Sequence, residues 1–221
     1  MGKGEKEAEE ILGKLEKAAE GTDGKAAAWL HLLRAKALAG LGRWDRALWA
    51  FGEVLERDPA HLEARRGRAM AFARLGEWGK ALLDLEETLK LSPGDWKLKA
   101  LQGIARLETK DPEGALASLE EALEAEEDPL LLAVAARAHL ELGRTQQAEA
   151  LASKALEKNP QLILARLIRG LVHLVEGRPS KAFEELEAIQ ASQLEEGRNE
   201  IEEFLERFGQ VPKRKRFGRE N

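Results

Sequence analysis

The sequence predicts an all-α protein built from about five helix–turn–helix repeats, with one further helix at each end. Three observations lead there: a helix-forming composition, small residues recurring with a 34-residue period, and glycine and proline at fixed places within that period. The 221-residue chain is 43% apolar and 34% charged, enough for a real core, and it contains neither cysteine nor tyrosine. It favours Ala, Leu, Glu, Lys and Arg over Val, Ile and Thr, which suits helix rather than strand.

The period is read from Ala47, Ala81, Ala115, Ala148 and Ala182, spaced 34, 34, 33 and 34 residues apart. Twelve residues before each lies a second small residue: Ala35, Ala69, Gly103, Ala136 and Gly170. Such pairs belong on facing helices, where a larger side chain would hold the backbones apart. Five residues before each anchor stand Gly42, Gly76, Lys110, Gly143 and Gly177, where the first helix of each pair must stop and turn. Pro59, Pro93, Pro129 and Pro160 mark exits from second helices, because proline cannot continue one. Helix starts are written as Asp111-Pro112 and Pro179-Ser180, and Asp95 can cap a helix opening at Trp96.

Taken in order, residues 1–27 hold an amphipathic capping helix and loop, with Ala8, Ile11, Leu12, Leu15 and Ala19 on one helical face and Gly21–Gly24 as the loop. The repeats occupy 28–61, 62–95, 96–128, 129–162 and 163–196. Ser192 and Glu195 form a capping box ahead of a second capping helix over 197–208. There Ile201, Phe204, Leu205 and Phe208 follow i, i+3, i+4, i+7 spacing. Residues 209–221 are expected to be a disordered basic tail.

The segments Leu41-Gly42-Arg43-Trp44-Asp45-Arg46-Ala47-Leu48 and Leu75-Gly76-Glu77-Trp78-Gly79-Lys80-Ala81-Leu82, each followed by Asp-Pro or Ser-Pro, resemble the tetratricopeptide repeat. The resemblance covers roughly residues 28–196. It implies an α-solenoid, wound as a right-handed superhelix, whose end faces need caps. The third repeat departs from the pattern with Lys110 and Pro112, and the fourth places Ala152 where a bulky residue is usual.

Little in the chain points to catalysis. The absence of cysteine excludes disulfides, thiol nucleophiles and cysteine-ligated metals. Gly40-Leu41-Gly42 starts a dinucleotide-binding pattern that Asp45 breaks, and no nucleophile-elbow or zinc-hydrolase motif is present. His139 and His173 share one repeat position, too few ligands for a metal, and are read as packing side chains that stack in neighbouring helices. Glu120-Glu121 and Glu126-Glu127-Asp128 are read as a solvated acidic face. Trp44 and Trp78 are expected to buttress helix junctions. The reading is therefore non-enzymatic, with no catalytic residue, cofactor, metal or small-molecule substrate. The apolar stretch Leu162–Val175 is broken by Arg166, Arg169 and His173, so no membrane span is expected. The segment Met1–Lys6 has no signal-peptide core, and a soluble cytoplasmic protein is the expectation.

In the resembling family the first helix of each repeat lines a concave groove that holds a peptide or helix of a partner protein. Carried onto this chain, the groove positions are Trp29, Leu33, Lys36, Arg66, Met70, Arg74, Lys97, Leu101, Ile104, Val134 and Arg137. They suggest an apolar floor with basic flanks, suited to an amphipathic segment carrying acidic residues. In the fifth repeat Leu164, Leu167, Ile168, Leu171, Leu174 and Val175 form an unbroken apolar stripe, which the helix over 197–208 is expected to cover. The family's carboxylate-clamp subclass, which recognises chaperone tails, is not expected, since Leu32, Lys36 and Gly67 stand at the clamp positions.

Two other readings stay open. The formal charge of −5 divides into +4 over residues 209–221 and −9 over 1–208. The basic cluster Lys213, Arg214, Lys215, Arg216 and Arg219, beside Phe217, could contact RNA, anionic lipid or an acidic protein patch. The third reading is a homo-oligomeric assembly module.

Overall fold

The computed structural model describes residues 3–22 and 24–189, in which eleven α-helices and no strand are found. These residues divide between Leu91 and Ser92 into two compact units. The first holds α1 (Lys3–Glu20), α2 (Gly24–Gly40), α3 (Trp44–Arg57), α4 (Leu62–Arg74) and α5 (Trp78–Leu91). The second holds α6 (Trp96–Glu108), α7 (Pro112–Ala125), α8 (Pro129–Glu141), α9 (Thr145–Lys158), α10 (Ile163–Val175) and α11 (Pro179–Glu187).

Within each unit every helix packs on the next in sequence. In the second unit the first helices α6, α8 and α10 also touch one another in order. The core sits where the small columns meet. Ala47, Ala81, Ala115, Ala148 and Ala182 are all buried, as are Ala35, Ala69, Gly103, Ala136 and Gly170. Contact is tight enough that a Cβ on Gly103 would fall 2.6 Å from Leu119 Cγ on α7. A Cβ on Gly67 of α4 would overlap the Phe51 ring of α3, so here glycine is required by close approach.

The turns follow the sequence closely. Gly42, Gly76, Gly143 and Gly177 all have φ between 70° and 76°, and each closes a first helix in the left-handed region. Lys110 holds the same place with φ of 66°, a conformation a side chain makes costly. Asp95 and Asp111 cap α6 and α7, accepting from the Lys97 and Leu98 amides and from the Gly114 amide respectively.

Three expectations are corrected. Asp128 is buried rather than on a solvated acidic face: its carboxylate accepts from the Leu130 and Leu131 amides at 2.8 and 3.3 Å and caps α8. Ile11 points to solvent while Leu12 and Ala19 take up the contact, because α1 meets α2 along a narrower stripe than its apolar residues span. Gly24 heads α2 instead of ending a loop. The Ser192–Glu195 capping box, the helix predicted over 197–208 and the basic tail lie outside the described residues.

Replacing the left-handed lysine tests the turn column. Lys110→Gly should raise unfolding free energy by about 1 kcal/mol in urea titrations, since glycine removes the Cβ penalty at positive φ. No change, or destabilisation, would contradict this account of the turn.

Candidate partner-binding surface

The first helices carry the predicted groove residues, and the two units present them separately. On the first unit, Trp29 near the start of α2 is 57% exposed, although Ala27 and Ala28 just before it are buried. About two turns further on, Lys36 reaches from α2 to Glu63 of α4 at 2.7 Å, an exposed pair linking two first helices. Leu33 is half-buried, and Met70 on α4 is buried. Arg74 stacks over the Trp44 ring with its guanidinium 5.1 Å from the centroid. Trp44 is thus a platform at the helix junction, packed against the core. Arg66 lines an open pocket of about 540 Å³ together with Asp58, His61, Leu62 and Glu63.

On the second unit, Leu101, Ile104 and Val134 are buried between helices and contribute core rather than floor. Lys97 extends over the Trp96 ring, 5.8 Å from its centroid. Arg137 of α8 is held by Glu108 of α6 at 2.6 Å and by Glu141 at 3.1 Å. The cationic flanks predicted from sequence are therefore largely engaged in ion pairs and aromatic stacking. Such half-exposed pairs contribute little stability, about 0–1 kcal/mol each.

The exposed apolar surface lies further along. Leu171 and Leu174 on α10 are each 50% exposed and Val175 68%, whereas Ile168 in the same stripe is core. Phe183 and Leu186 on α11 are also exposed. The fifth-repeat stripe was legible in the sequence; the two α11 residues were not singled out.

A polar column was also missed, although its spacing was there to read. Arg34, Arg68, Gln102 and Arg169 recur with the repeat. Arg68 forms a two-pronged pair with Asp84 of α5, both contacts 2.7 Å, which raises the arginine pKa further. Ser118 donates to Gln102 at 2.9 Å, and Arg169 meets Glu185 at 2.6 Å. Arg34 turns instead to Glu16 of α1 at 2.5 Å and stacks over Trp49 at 5.4 Å. These contacts pin first helices to second helices and serve architecture. On the outer acids, Glu127 bridges Lys154 and Lys158, which hold its carboxyl at about 2.

The histidines have distinct surroundings. His31 is buried between α2 and α3, with Nε2 3.9 Å from Glu53 and no hydrogen-bond partner for either ring nitrogen among the described residues. Burial, then the Arg57 charge, push its pKa below the ordinary 6.5, against an opposing pull from Glu53. His139 is lowered too, by burial and then Arg144, and His173 lies 3.8 Å from Glu149. Among the described residues no group of three or more His, Asp or Glu is placed to hold a metal ion. No described helix is long and apolar enough to cross a membrane.

The tetratricopeptide-repeat family model matches residues 32–95, 67–130, 100–163 and 133–195, most of the chain. The chain belongs to this family. Among solved structures, MamA from residue 41 onward, of Desulfovibrio magneticus RS-1, shares the fold with a TM-score of 0.67 at 20% identity. That match covers 78% of this chain and 95% of MamA. YrrB, described as a tetratricopeptide protein with an unusual peptide-binding site, gives a TM-score of 0.64 at 21% identity, covering 78% of this chain and 89% of its own. Identities this low establish shared fold alone. No curated protein matches the sequence. Tetratricopeptide proteins are generally non-catalytic scaffolds for protein–protein interaction, and the fold implies that role here.

His31 and His139 give this tetratricopeptide domain a pH signature. Between the lowered folded values and 6.5, the unfolded chain binds more protons than the native one, so stability is full above about pH 6.5 and falls as pH drops through the folded values. Urea titrations from pH 7.5 to 5 should show this decline, and His31→Leu should make it shallower. An unchanged slope would show that His31 titrates alike in both states.

Proposed function

We propose that this tetratricopeptide protein is a non-catalytic scaffold that holds a peptide or amphipathic helix of a partner protein against its first helices. The observation that carries the reading is Trp29, a large aromatic left 57% exposed on a first helix whose neighbouring positions are packed. Exposed tryptophan on a rigid helix is a favoured anchor for a partner's apolar side chain. Beside it, the Lys36–Glu63 pair and the pocket containing Arg66 and His61 supply polar groups that could fix the orientation of a bound segment. The described neighbour YrrB, with its peptide-binding site, is consistent with such use of the fold. Because Met70, Leu101, Ile104 and Val134 are buried, recognition is assigned to Trp29 and the polar flanks, with the buried residues supporting the helices that carry them.

The alternative in which the basic tail, Lys213 to Arg219, binds nucleic acid or an anionic surface is separated by the same experiment. Peptides selected from a displayed random library on the full chain should bind Trp29→Ala at least about tenfold more weakly, a loss of about 1.4 kcal/mol. Circular dichroism melts of that variant should be unchanged, and Leu83→Ala, at an exposed apolar site on the second helix α5, should bind normally. If Trp29→Ala binds as wild type does, the first-helix reading fails. Loss of binding on deleting residues 212–221, with steep salt dependence, would favour the tail instead.

A further inference from the structure

The outer face of α3 carries a pattern that packing within the chain does not use. Trp49 on this second helix is 57% exposed. Arg34 of α2 stacks on the ring, 5.4 Å from its centroid, and Glu16 of α1 holds that arginine at 2.5 Å. The indole is thereby fixed while its outer side stays open. One turn further along, Gly52 interrupts the same helix, and no neighbouring group lies within 4 Å of where a Cβ would stand. Gly67 and Gly103 are required by close neighbours, whereas nothing inside the chain requires Gly52. Glycine is also a poor helix former, so the reason for it lies outside the chain. In the other second helices the Gly52 column holds Glu86, Glu120, Ser153 and Glu187, and none of these helices has an aromatic in the Trp49 column. The large anchor and the notch beside it occur together on α3.

The surrounding charges say what fits. Asp45, Trp49, Gly52 and Glu56 follow i, i+4, i+7, i+11 spacing and form one line along α3, with Arg46 and Arg57 beside its two ends. All four charged residues are exposed. Turned end for end, this line is complementary to itself: Trp49 falls opposite Gly52, Arg46 opposite Glu56, and Asp45 opposite Arg57.

We infer that this face is an interface with a second copy of the chain, in which two α3 helices cross antiparallel about a two-fold axis between Trp49 and Gly52. Each indole seats in the notch over the other copy's Gly52, where the missing side chain permits close approach. At each end Arg46 meets Glu56 of the second copy, and Asp45 meets its Arg57. A parallel pair would set Arg46 against Arg46 and Glu56 against Glu56, so charge selects the antiparallel arrangement. Arg46 now lies 3.6 Å from Glu9, and Glu53 holds Arg57 at 2.8 Å. Both are surface pairs, weak enough to be exchanged for contacts across the interface. A different partner would need its own anchor, notch and charge order, which a second copy supplies by symmetry.

One helix pair makes a small contact, under about 1,200 Å², so sedimentation velocity of the full chain from about 5 to 200 μM should show a monomer–dimer equilibrium. Trp49→Ala, Arg46→Glu and Glu56→Arg should each raise the dimer Kd at least about tenfold, with circular dichroism melts close to wild type. An equimolar mixture of Arg46→Glu and Glu56→Arg chains, one of them mass-tagged, should recover a heterodimer within about threefold of wild-type affinity. That recovery requires the two positions to meet across the interface, which a role confined to one chain cannot reproduce. Failure of the mixture to recover would overturn the antiparallel register. A dimer that none of the variants weakens would place the interface elsewhere, and a wild type that stays monomeric throughout would overturn the proposal. Dimers that form only after residues 209–221 are deleted would assign the face to the chain's own tail.

Discussion

The structure depends on how closely paired helices approach at two columns of small residues. Ala or Gly at one column lets the first helix lie against Ala at the other, and buried side chains such as Leu85, Leu119 and Val54 fill the space around that contact. Packing at this distance works only if the chain reverses direction abruptly. The left-handed residue in every turn, glycine four times and Lys110 once, performs that reversal. Proline and aspartate then set where the next helix begins. Constraint at a few backbone positions leaves the remaining surface open to vary.

That division explains what could be read in advance. Small columns, turn glycines and caps are local requirements written in residue type, so the helix pairs could be placed from sequence. Asp128 was misjudged because its neighbours Glu126 and Glu127 are solvent-facing acids, and only the backbone turn at Pro129 converts the third into a buried cap. The Arg68–Asp84 and Gln102–Ser118 contacts were missed for another reason: charged and polar residues on a helix read as solvated until a partner on the facing helix is known.

The partner surface was less legible still. Met70, Leu101, Ile104 and Val134 share a helix face with Trp29 in the repeat pattern, yet they are buried and Trp29 is not. Exposure there is set by the distance to neighbouring helices, which periodicity does not encode. The basic residues behave similarly. Lys36 and Arg137 stand where expected, but Glu63 and Glu108 on adjacent first helices hold them, so the face is a lattice of paired charges rather than a basic strip. A partner would exchange those pairs for its own, which favours specificity over raw affinity.

The close approach can be measured on one helix. Ala115 of α7 lies in the small column and is fully buried, while Ala117, two residues on, is exposed. Unfolding free energies from urea titration of Ala115→Leu and Ala117→Leu isolate packing from helix propensity, since both exchange alanine for leucine in the same helix. The account predicts a loss of about 1–3 kcal/mol for Ala115→Leu and a change within about 0.5 kcal/mol for Ala117→Leu. Equal effects at the two positions would contradict it.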